Sequence, residues 1–267
     1  ACRNNMVQTS GEWNEVVDRI GRWVDMENAY KTMDKEYMES VWWAFKELYD
    51  KGKIYEGEKV LMYCTLDATP LSKAEVTMDA GAYQDITDPS VYVKFRIMND
   101  QPVYLLAWTT TPWTLPANTA LAVNEDLDYV EVKVDGEQFI IAKELVGKVL
   151  QDDKHQPLDY EIVREFKGKE LVGLSYEPLF SDRGEGAHKV WHAPYVSHED
   201  GTGIVHLAPA YGEEDFELAK EKGIPVVHTI DENGVFTKGD WVGKNVWEIN
   251  KQIAKDLKER GVVWKID

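Results

Sequence analysis

The sequence predicts an α+β fold, with helices at both ends and a β-rich middle, built either as packed sheets or as a barrel with helices outside. Three observations lead there. Apolar residues recur at helical spacing near each end, at Met38, Val41, Trp42, Phe45, Leu48 and Tyr49, and at Val246, Ile249, Ile253, Ala254 and Leu257. Between them, Val91 to Ile97 and Val130, Val132 and Val134 alternate with polar residues, as half-buried strands do. A third, purely apolar run, Val103 to Trp108, ends abruptly at three threonines and two prolines. The chain has 267 residues, 43% hydrophobic and 29% charged, which is enough to bury a real core in one or two domains.

In order along the chain, residues 1–10 lack an apolar period and read as a cut end. Thr9 and Glu12 have capping-box spacing, so a short helix is expected from there to Gly21, with Trp13, Val16, Val17 and Ile20 on its face. A longer helix is expected over Met33 to Asp50, terminated by Gly52. Its Trp42-Trp43 pair is read as packing. Lys59 to Thr65 is short and β-prone, and Asp79 to Pro89 is loop-like. After the Val91 and Val103 strands, Asp135-Gly136 closes a hairpin between Val130–Val134 and Phe139–Ile141. A short helix is expected over Lys143 to Leu150 and a strand over Glu161 to Phe166. Gly203 to Ala208 is a compact buried strand ended by Pro209. Gly212 to Phe216 opens a helix with acidic residues in its first turn, and Gly223 and Pro225 close it. Val226 to Ile230 and Val235-Phe236 are strand pieces, and the last helix ends at Gly261.

Composition narrows the function. No apolar run approaches the ~20 residues of a membrane-spanning helix, and the start carries no basic-then-apolar leader. Cys2 and Cys64 provide neither a disulfide framework nor a zinc pair, so a reducing, cytoplasmic setting is expected. The net charge of −18 repels nucleic acid, so RNA contact would need a local patch or a tethered partner domain. His188 and His192 are four apart with His198, Glu199 and Asp200 nearby, but Lys189 stands where a zinc-protease helix needs Glu. A solvated loop is the better reading, and no metal is expected. No Gly-x-Ser-x-Gly elbow is present.

One pairing of segments carries chemistry. Leu106 to Asn118, L-A-W-T-T-T-P-W-T-L-P-A-N, delivers Thr109, Thr110 and Thr111 to a loop held by Pro112 and Pro116, whose missing N–H groups stop a regular ladder or helix. His206 to Phe216 runs from a strand end through a proline turn to a helix start bearing Asp215. Each residue also has a plain structural explanation. Asp215 suits the helix dipole, and His206 could be a satisfied core histidine. Together they suggest a pocket with hydroxyls on one wall, a carboxylate opposite and a histidine beside them, suited to a ligand with a cationic amine and a polarised carbonyl.

These two segments resemble the editing domain of class I isoleucyl-tRNA synthetases. Thr109-Thr110-Thr111-Pro112-Trp113-Thr114-Leu115-Pro116-Ala117-Asn118 is similar to that domain's threonine-rich segment, and Gly203 through Phe216 to its second segment. Arg19 to Asp25, Tyr37 to Trp43 and Gly168 through Leu179 are similar to stretches that flank or line the same insertion, so the resemblance covers essentially the whole chain. Valyl and leucyl relatives usually carry Thr-Thr-Arg-Pro and then an acid, whereas this chain has Thr111 and Trp113 at those positions. It departs from many relatives at Glu214, before Asp215, and at Tyr211. Neither a His-Ile-Gly-His-type nor a Lys-Met-Ser-Lys-Ser-type segment occurs.

The resemblance implies a closed β-barrel editing domain at 58–245, a helical stem at 1–57, and a C-terminal helix with a return stem at 246–267. It implies post-transfer editing: hydrolysis of the ester of Val-tRNA(Ile), without ATP or magnesium, which belong to the absent synthetic site; the alternatives are a non-catalytic tRNA-positioning module and an editing domain of valyl-type specificity. Asp215, Thr109 and Thr110 are the implied catalytic residues, with Asp215 holding the substrate's amino group. Thr111, Trp113, Asn118, His206, Tyr211 and Gly212 are the implied substrate-binding residues. The expected partners are the valine-bearing 3′ end of tRNA(Ile) and the remainder of the synthetase, with the chain a monomer and no membrane involved.

Overall fold

The computed structural model describes residues 2–77, 81–152 and 154–267. The chain forms two compact units, Ala1–Glu58 and Lys59–Asp267. The first holds α1 (Cys2–Arg19) and α2 (Lys35–Asp50). Helix α1 is already under way at Thr9, so the Thr9–Glu12 spacing does not mark its start. An interior glycine such as Gly11 costs a helix only about 1 kcal/mol, too little to end it. At the end of α2, Gly52 turns to φ +65° and the Lys53 amide reaches back to the Leu48 carbonyl, 2.9 Å away. The apolar face of α2 is exposed, Trp42, Trp43 and Phe45 included.

The second unit is built on three sheets. The largest combines β3 (Val91–Arg96), β4 (Val103–Thr109), β6 (Asp128–Val134), β7 (Glu137–Ala142), β8 (Glu161–Lys167) and β11 (Val263–Ile266), in the order β11-β3-β4-β7-β6-β8. The second combines β5 (Ala120–Val123), β9 (Lys189–His192) and β10 (Ile204–Leu207), in the order β10-β5-β9. A two-residue pair, β1 (Tyr63–Cys64) and β2 (Thr69–Pro70), makes the third. It is all that forms of the strand expected over Lys59 to Thr65. The loop expected from Asp79 to Pro89 falls partly outside the described residues, at Asp79 and Ala80, and is irregular thereafter.

The Asp135-Gly136 hairpin forms as its sequence predicts. Both residues adopt positive φ, 51° and 83°, and Val134 pairs with Glu137. Strands β5, β9 and β11 were not legible. Each has four residues, and Ala120–Val123 is apolar on both faces, so it shows no alternation. The helix expected over Lys143 to Leu150 is a 3-10 turn followed by the four-residue α3 (Val146–Val149). Val226–Ile230 and Val235-Phe236 contribute isolated bridges rather than strands, Ile230 with Phe236 and Val235 with Asn245.

Among the described residues the hydrogen-bonded ladders do not close a barrel. The ladders stay open at the edge strands, β11 and β8 in the six-stranded sheet and β10 and β9 in the three-stranded one, and the chain passes from the first sheet to the second after Thr109, where Pro112 lacks an N–H. The two sheets are instead fastened at the start of β10. The Ala142 amide donates to Thr202 O at 2.9 Å, and the Tyr129 hydroxyl donates to Gly203 O at 2.7 Å. Burial pushes that phenol up to about 12. Gly203 is required there, because its φ is +74° and a Cβ would sit 2.3 Å from Ala142 Cβ. Helix α4 (Glu213–Lys222) follows β10, and α5 (Val246–Glu259) packs Ile253, Ala254 and Leu257 into the main core. Asn245 caps α5 by accepting the Trp247 amide at 3.0 Å.

Candidate functional site

The threonine segment sits at the end of β4. The loop expected to be irregular is a 3-10 helix, Pro112–Ala117, with Thr111 before it. A proline at its first position is compatible with that geometry, because the first amide of a helix has no internal partner. The hydroxyls form a chain of contacts. Thr109 Oγ1 lies 3.1 Å from Thr111 Oγ1 and accepts the Thr111 amide at 3.1 Å. Thr111 Oγ1 lies 3.4 Å from Thr114 Oγ1, and the Thr114 hydroxyl donates to Thr111 O at 2.9 Å. Thr109 is half-buried, while Thr110 and Thr111 are exposed.

The chain of contacts continues inward. Thr114 Oγ1 is 2.8 Å from His206 Nε2, and Asn118 Nδ2 is 3.1 Å from His206 Nδ1. The Asn118 amide is oriented twice over: Nδ2 donates to Ala120 O at 2.9 Å, and Oδ1 accepts the Tyr176 hydroxyl at 2.7 Å. Asn118 therefore donates to Nδ1, leaving the imidazole proton on Nε2, where it donates to Thr114. Burial lowers the His206 pKa to about 4, so the ring is neutral. His206 and Asn118 thus lie within a buried polar network behind the threonines. Strand pairing puts them there: His206 sits opposite Leu121 in the β10–β5 ladder, and the Thr119 amide donates to Leu207 O at 3.1 Å.

Asp215 lies in the first turn of α4, and its Oδ2 accepts the Ala208 amide at 2.9 Å. Burial raises its pKa to about 6, against the Ala208 bond, which lowers it, and with the neighbouring Glu214 charge, which raises it. Gly212 is the residue before α4, in extended conformation, and a Cβ there would stand 2.9 Å from the Asp215 carboxyl carbon. Tyr211 packs its ring against Trp113 with centroids 5.0 Å apart, and its hydroxyl accepts the Thr229 amide at 2.8 Å and the Ile230 amide at 3.2 Å. Trp113 and Tyr211 therefore form a strut between the two segments. The Trp113 amide donates to Asn250 Oδ1 on α5 at 3.3 Å.

A groove of about 280 Å³ opens beside the threonines, lined by Trp108, Thr109, Thr110, Tyr195, Asp200 and Ile204 among others. Tyr195 lines this groove. Burial raises its phenol pKa and the Asp215 and Glu214 charges add to the effect. The three histidines weighed as metal ligands turn to separate neighbours. His188 Nε2 accepts the Arg183 amide, His192 Nδ1 accepts the Glu125 amide, and His198 meets Glu144. Among the described residues no helix is long and apolar enough to cross a membrane.

Of the residues named from sequence, Thr109, Thr110 and Thr111 share one edge, joined to Asp215, Gly212 and Tyr211 through the Trp113 strut. His206 and Asn118 lie behind that edge. Sequence reasoning assigned no role to Thr114, Tyr176, Tyr195 or Asn250. Thr114 stood in the threonine-rich segment and was legible. The others are distant in sequence and are brought in by strands and a helix register that only the fold defines.

The family model described as tRNA synthetases class I (I, L, M and V) matches residues 1–217. The chain belongs to that family. Similar class I relatives include the isoleucine–tRNA ligases of Bdellovibrio bacteriovorus, 46% identical over 100% of this chain and 26% of the relative, and Clostridium tetani, 42% identical over 99% and 25%. That of Mycobacterium tuberculosis is 44% identical over 97% of this chain and 26% of its own length. The chain thus spans about a quarter of the length of these relatives. Among solved structures, one described as GlLeuRS-CP1 matches with TM-score 0.56 and 14% identity over 67% of this chain and 99% of its own. The Plasmodium falciparum cytosolic leucyl-tRNA synthetase editing domain matches with TM-score 0.55 and 10% identity, covering 67% and 99%. The fold is that of synthetase editing domains, and the sequence relatives are isoleucine–tRNA ligases.

Proposed function

We propose that this chain is an editing domain that hydrolyses the ester of valine mischarged on tRNA(Ile). The observation that carries the reading is the Trp113–Tyr211 contact, which links the segment of the hydroxyl edge, Thr109 to Thr111, to the segment that carries the buried carboxylate of Asp215. Isoleucine and valine differ by one methylene, and a hydrophobic pocket separates them only ~150-fold, an established figure for this enzyme class rather than a result of this geometry. A second site that admits the smaller product and destroys it supplies the rest.

In this reading the Asp215 carboxylate, held by Ala208, takes the substrate's α-ammonium through a charge-assisted hydrogen bond worth ~1.5–3 kcal/mol. The terminal adenosine lies in the groove by Trp108 and Tyr195. Thr109 and Thr110 place a water on the ester carbonyl, and Thr111 limits side-chain size. The water oxygen attacks the carbonyl carbon, the bond from that carbon to the ribose oxygen breaks, and the water's protons pass to the leaving ribose oxygen and to solvent. Threonine hydroxyls and main-chain amides steady the oxyanion. His206 and Asn118 act from behind, through Thr114. The barrel expected from sequence belongs to the same reading, with β10 lying against β4 as its other wall. The tRNA body is gripped by the remainder of the synthetase, since a chain of net charge −18 offers it little.

The test is deacylation of Val-tRNA(Ile) by the intact synthetase carrying this domain. Asp215→Ala is expected to slow it at least ~10-fold, the lower bound of the ammonium contact. Near-normal hydrolysis by that variant would remove Asp215 from the role.

A further inference from the structure

The C-terminal helix α5 lies in 246–267, the segment that the resemblance implies to be a C-terminal helix and return stem, and it contacts the Trp113 segment. Asn250 lies on its buried face and is only 7% exposed. Its Oδ1 accepts the Trp113 amide at 3.3 Å across 137 residues of chain. That amide stands at the start of the Pro112–Ala117 helix, where a backbone N–H has no partner within its own helix. The same turn carries the Thr111–Thr114 contacts, and the Thr114 amide donates to Thr111 O at 3.0 Å. The Trp113 ring rests on Tyr211, four residues before Asp215, and the Tyr211 hydroxyl is fixed by the Thr229 and Ile230 amides. Tyr211 is anchored at its far end, so the Trp113–Tyr211 contact links the threonine segment to the turn that leads to Asp215. Asn250 is the polar side chain that holds the Trp113 backbone.

We propose that Asn250 is a positioning residue for editing specificity: by fixing the Trp113 amide it sets the spacing between the threonine wall and Asp215, and so the size of side chain admitted. The proposal rests on the functional reading above. Without Asn250 the 3-10 turn gains freedom along the line that separates valine from isoleucine.

The experiment compares hydrolysis of Val-tRNA(Ile) and Ile-tRNA(Ile) by the intact synthetase carrying wild-type, Asn250→Ala or Asn250→Asp domains, with thermal midpoints recorded alongside. The ratio of kcat/KM for the valyl over the isoleucyl ester is expected to fall about three- to tenfold in Asn250→Ala, the equivalent of one hydrogen bond. Asn250→Asp, whose carboxylate accepts the same amide, is expected to recover most of it. A merely structural role lowers both esters in proportion and leaves the ratio unmoved, and that result overturns the assignment. A wild-type enzyme with no preference for the valyl ester overturns the functional reading itself, whereas a normal wild type with an unmoved ratio in Asn250→Ala overturns only the role of Asn250.

Discussion

The Asp215 carboxylate accepts the backbone amide of Ala208 at 2.9 Å, tying the first turn of α4 to the end of β10. The bond favours the ionised carboxylate, yet burial outweighs it and holds the pKa near 6, above the 3.8 of a free side chain. Between those values the folded chain binds more protons than the unfolded one. The contribution of this group to stability is therefore greatest below ~pH 4 and is lost as pH rises through 6, a difference of roughly 3 kcal/mol. Asp215→Asn removes the charge. It is expected to stabilise the protein by up to ~3 kcal/mol at neutral pH, with the gain vanishing near pH 4, while deacylation collapses. Urea denaturation at the two pH values, beside a deacylation assay, checks both halves. A variant no more stable than wild type at neutral pH contradicts the buried-charge account.

His206 works in the opposite sense. Burial lowers its pKa to about 4 from the usual 6.5, so the unfolded chain binds more protons across that window. The stability it contributes is present above pH ~6.5 and is lost as pH falls towards 4. Its tautomer depends on the orientation of Asn118, whose Oδ1 accepts the Tyr176 hydroxyl. Tyr176→Phe leaves that buried oxygen unpaired and is expected to cost about 1–3 kcal/mol, measurable by chemical denaturation. The Asn118 amide then keeps only its Nδ2 bonds, chiefly that to Ala120 O, to orient it, so hydrolysis of the valyl ester is also expected to slow.

The contrast between β3 and β5 explains what the sequence could reveal. Val91 to Arg96 and the Asp135-Gly136 hairpin announce themselves through alternation and turn chemistry. Ala120–Val123 lies buried on both faces, and Lys189–His192 pairs with it in parallel from far along the chain. Neither carries a local signal, yet these strands put His206 beside Asn118. The threonines and Asp215 were legible because they cluster at strand and helix ends. Asn250 became intelligible only once α5 was packed against the 3-10 helix, since its contact with Trp113 spans 137 residues. His206 and Asn118 illustrate the reverse. The resemblance implies that they bind substrate, and the fold pairs them with each other in a buried network behind the threonines.

Thr111 offers a direct test of the size filter. Its side chain is exposed and makes no capping bond to the 3-10 helix it precedes, so Thr111→Ala should change stability by less than ~0.5 kcal/mol. The lost hydroxyl and methyl open the wall by about the volume isoleucine adds. One methylene in such a pocket is worth about 1–3 kcal/mol, so Ile-tRNA(Ile) deacylation is expected to rise at least ~10-fold. If the isoleucyl ester stays protected, the limiting wall is elsewhere.

Gly212 separates position from chemistry. Its φ of −117° and ψ of 131° are open to any residue, so alanine there brings no backbone strain. The added Cβ would nevertheless stand 2.9 Å from both Cγ and Oδ2 of Asp215, closer than such atoms approach. The carboxylate must then turn away, and the oxygen that moves is the one bonded to Ala208. Gly212→Ala is thus expected to keep the fold, to lose about 1–3 kcal/mol with the Ala208 bond, and to cut Val-tRNA(Ile) deacylation about tenfold or more without touching a polar group. Activity should return partly in Gly212→Ala/Asp215→Glu, whose longer side chain carries its carboxylate past the new methyl. Full activity in Gly212→Ala would mean that Asp215 needs no fixed direction, and hydrolysis would then have to depend on the threonine edge alone.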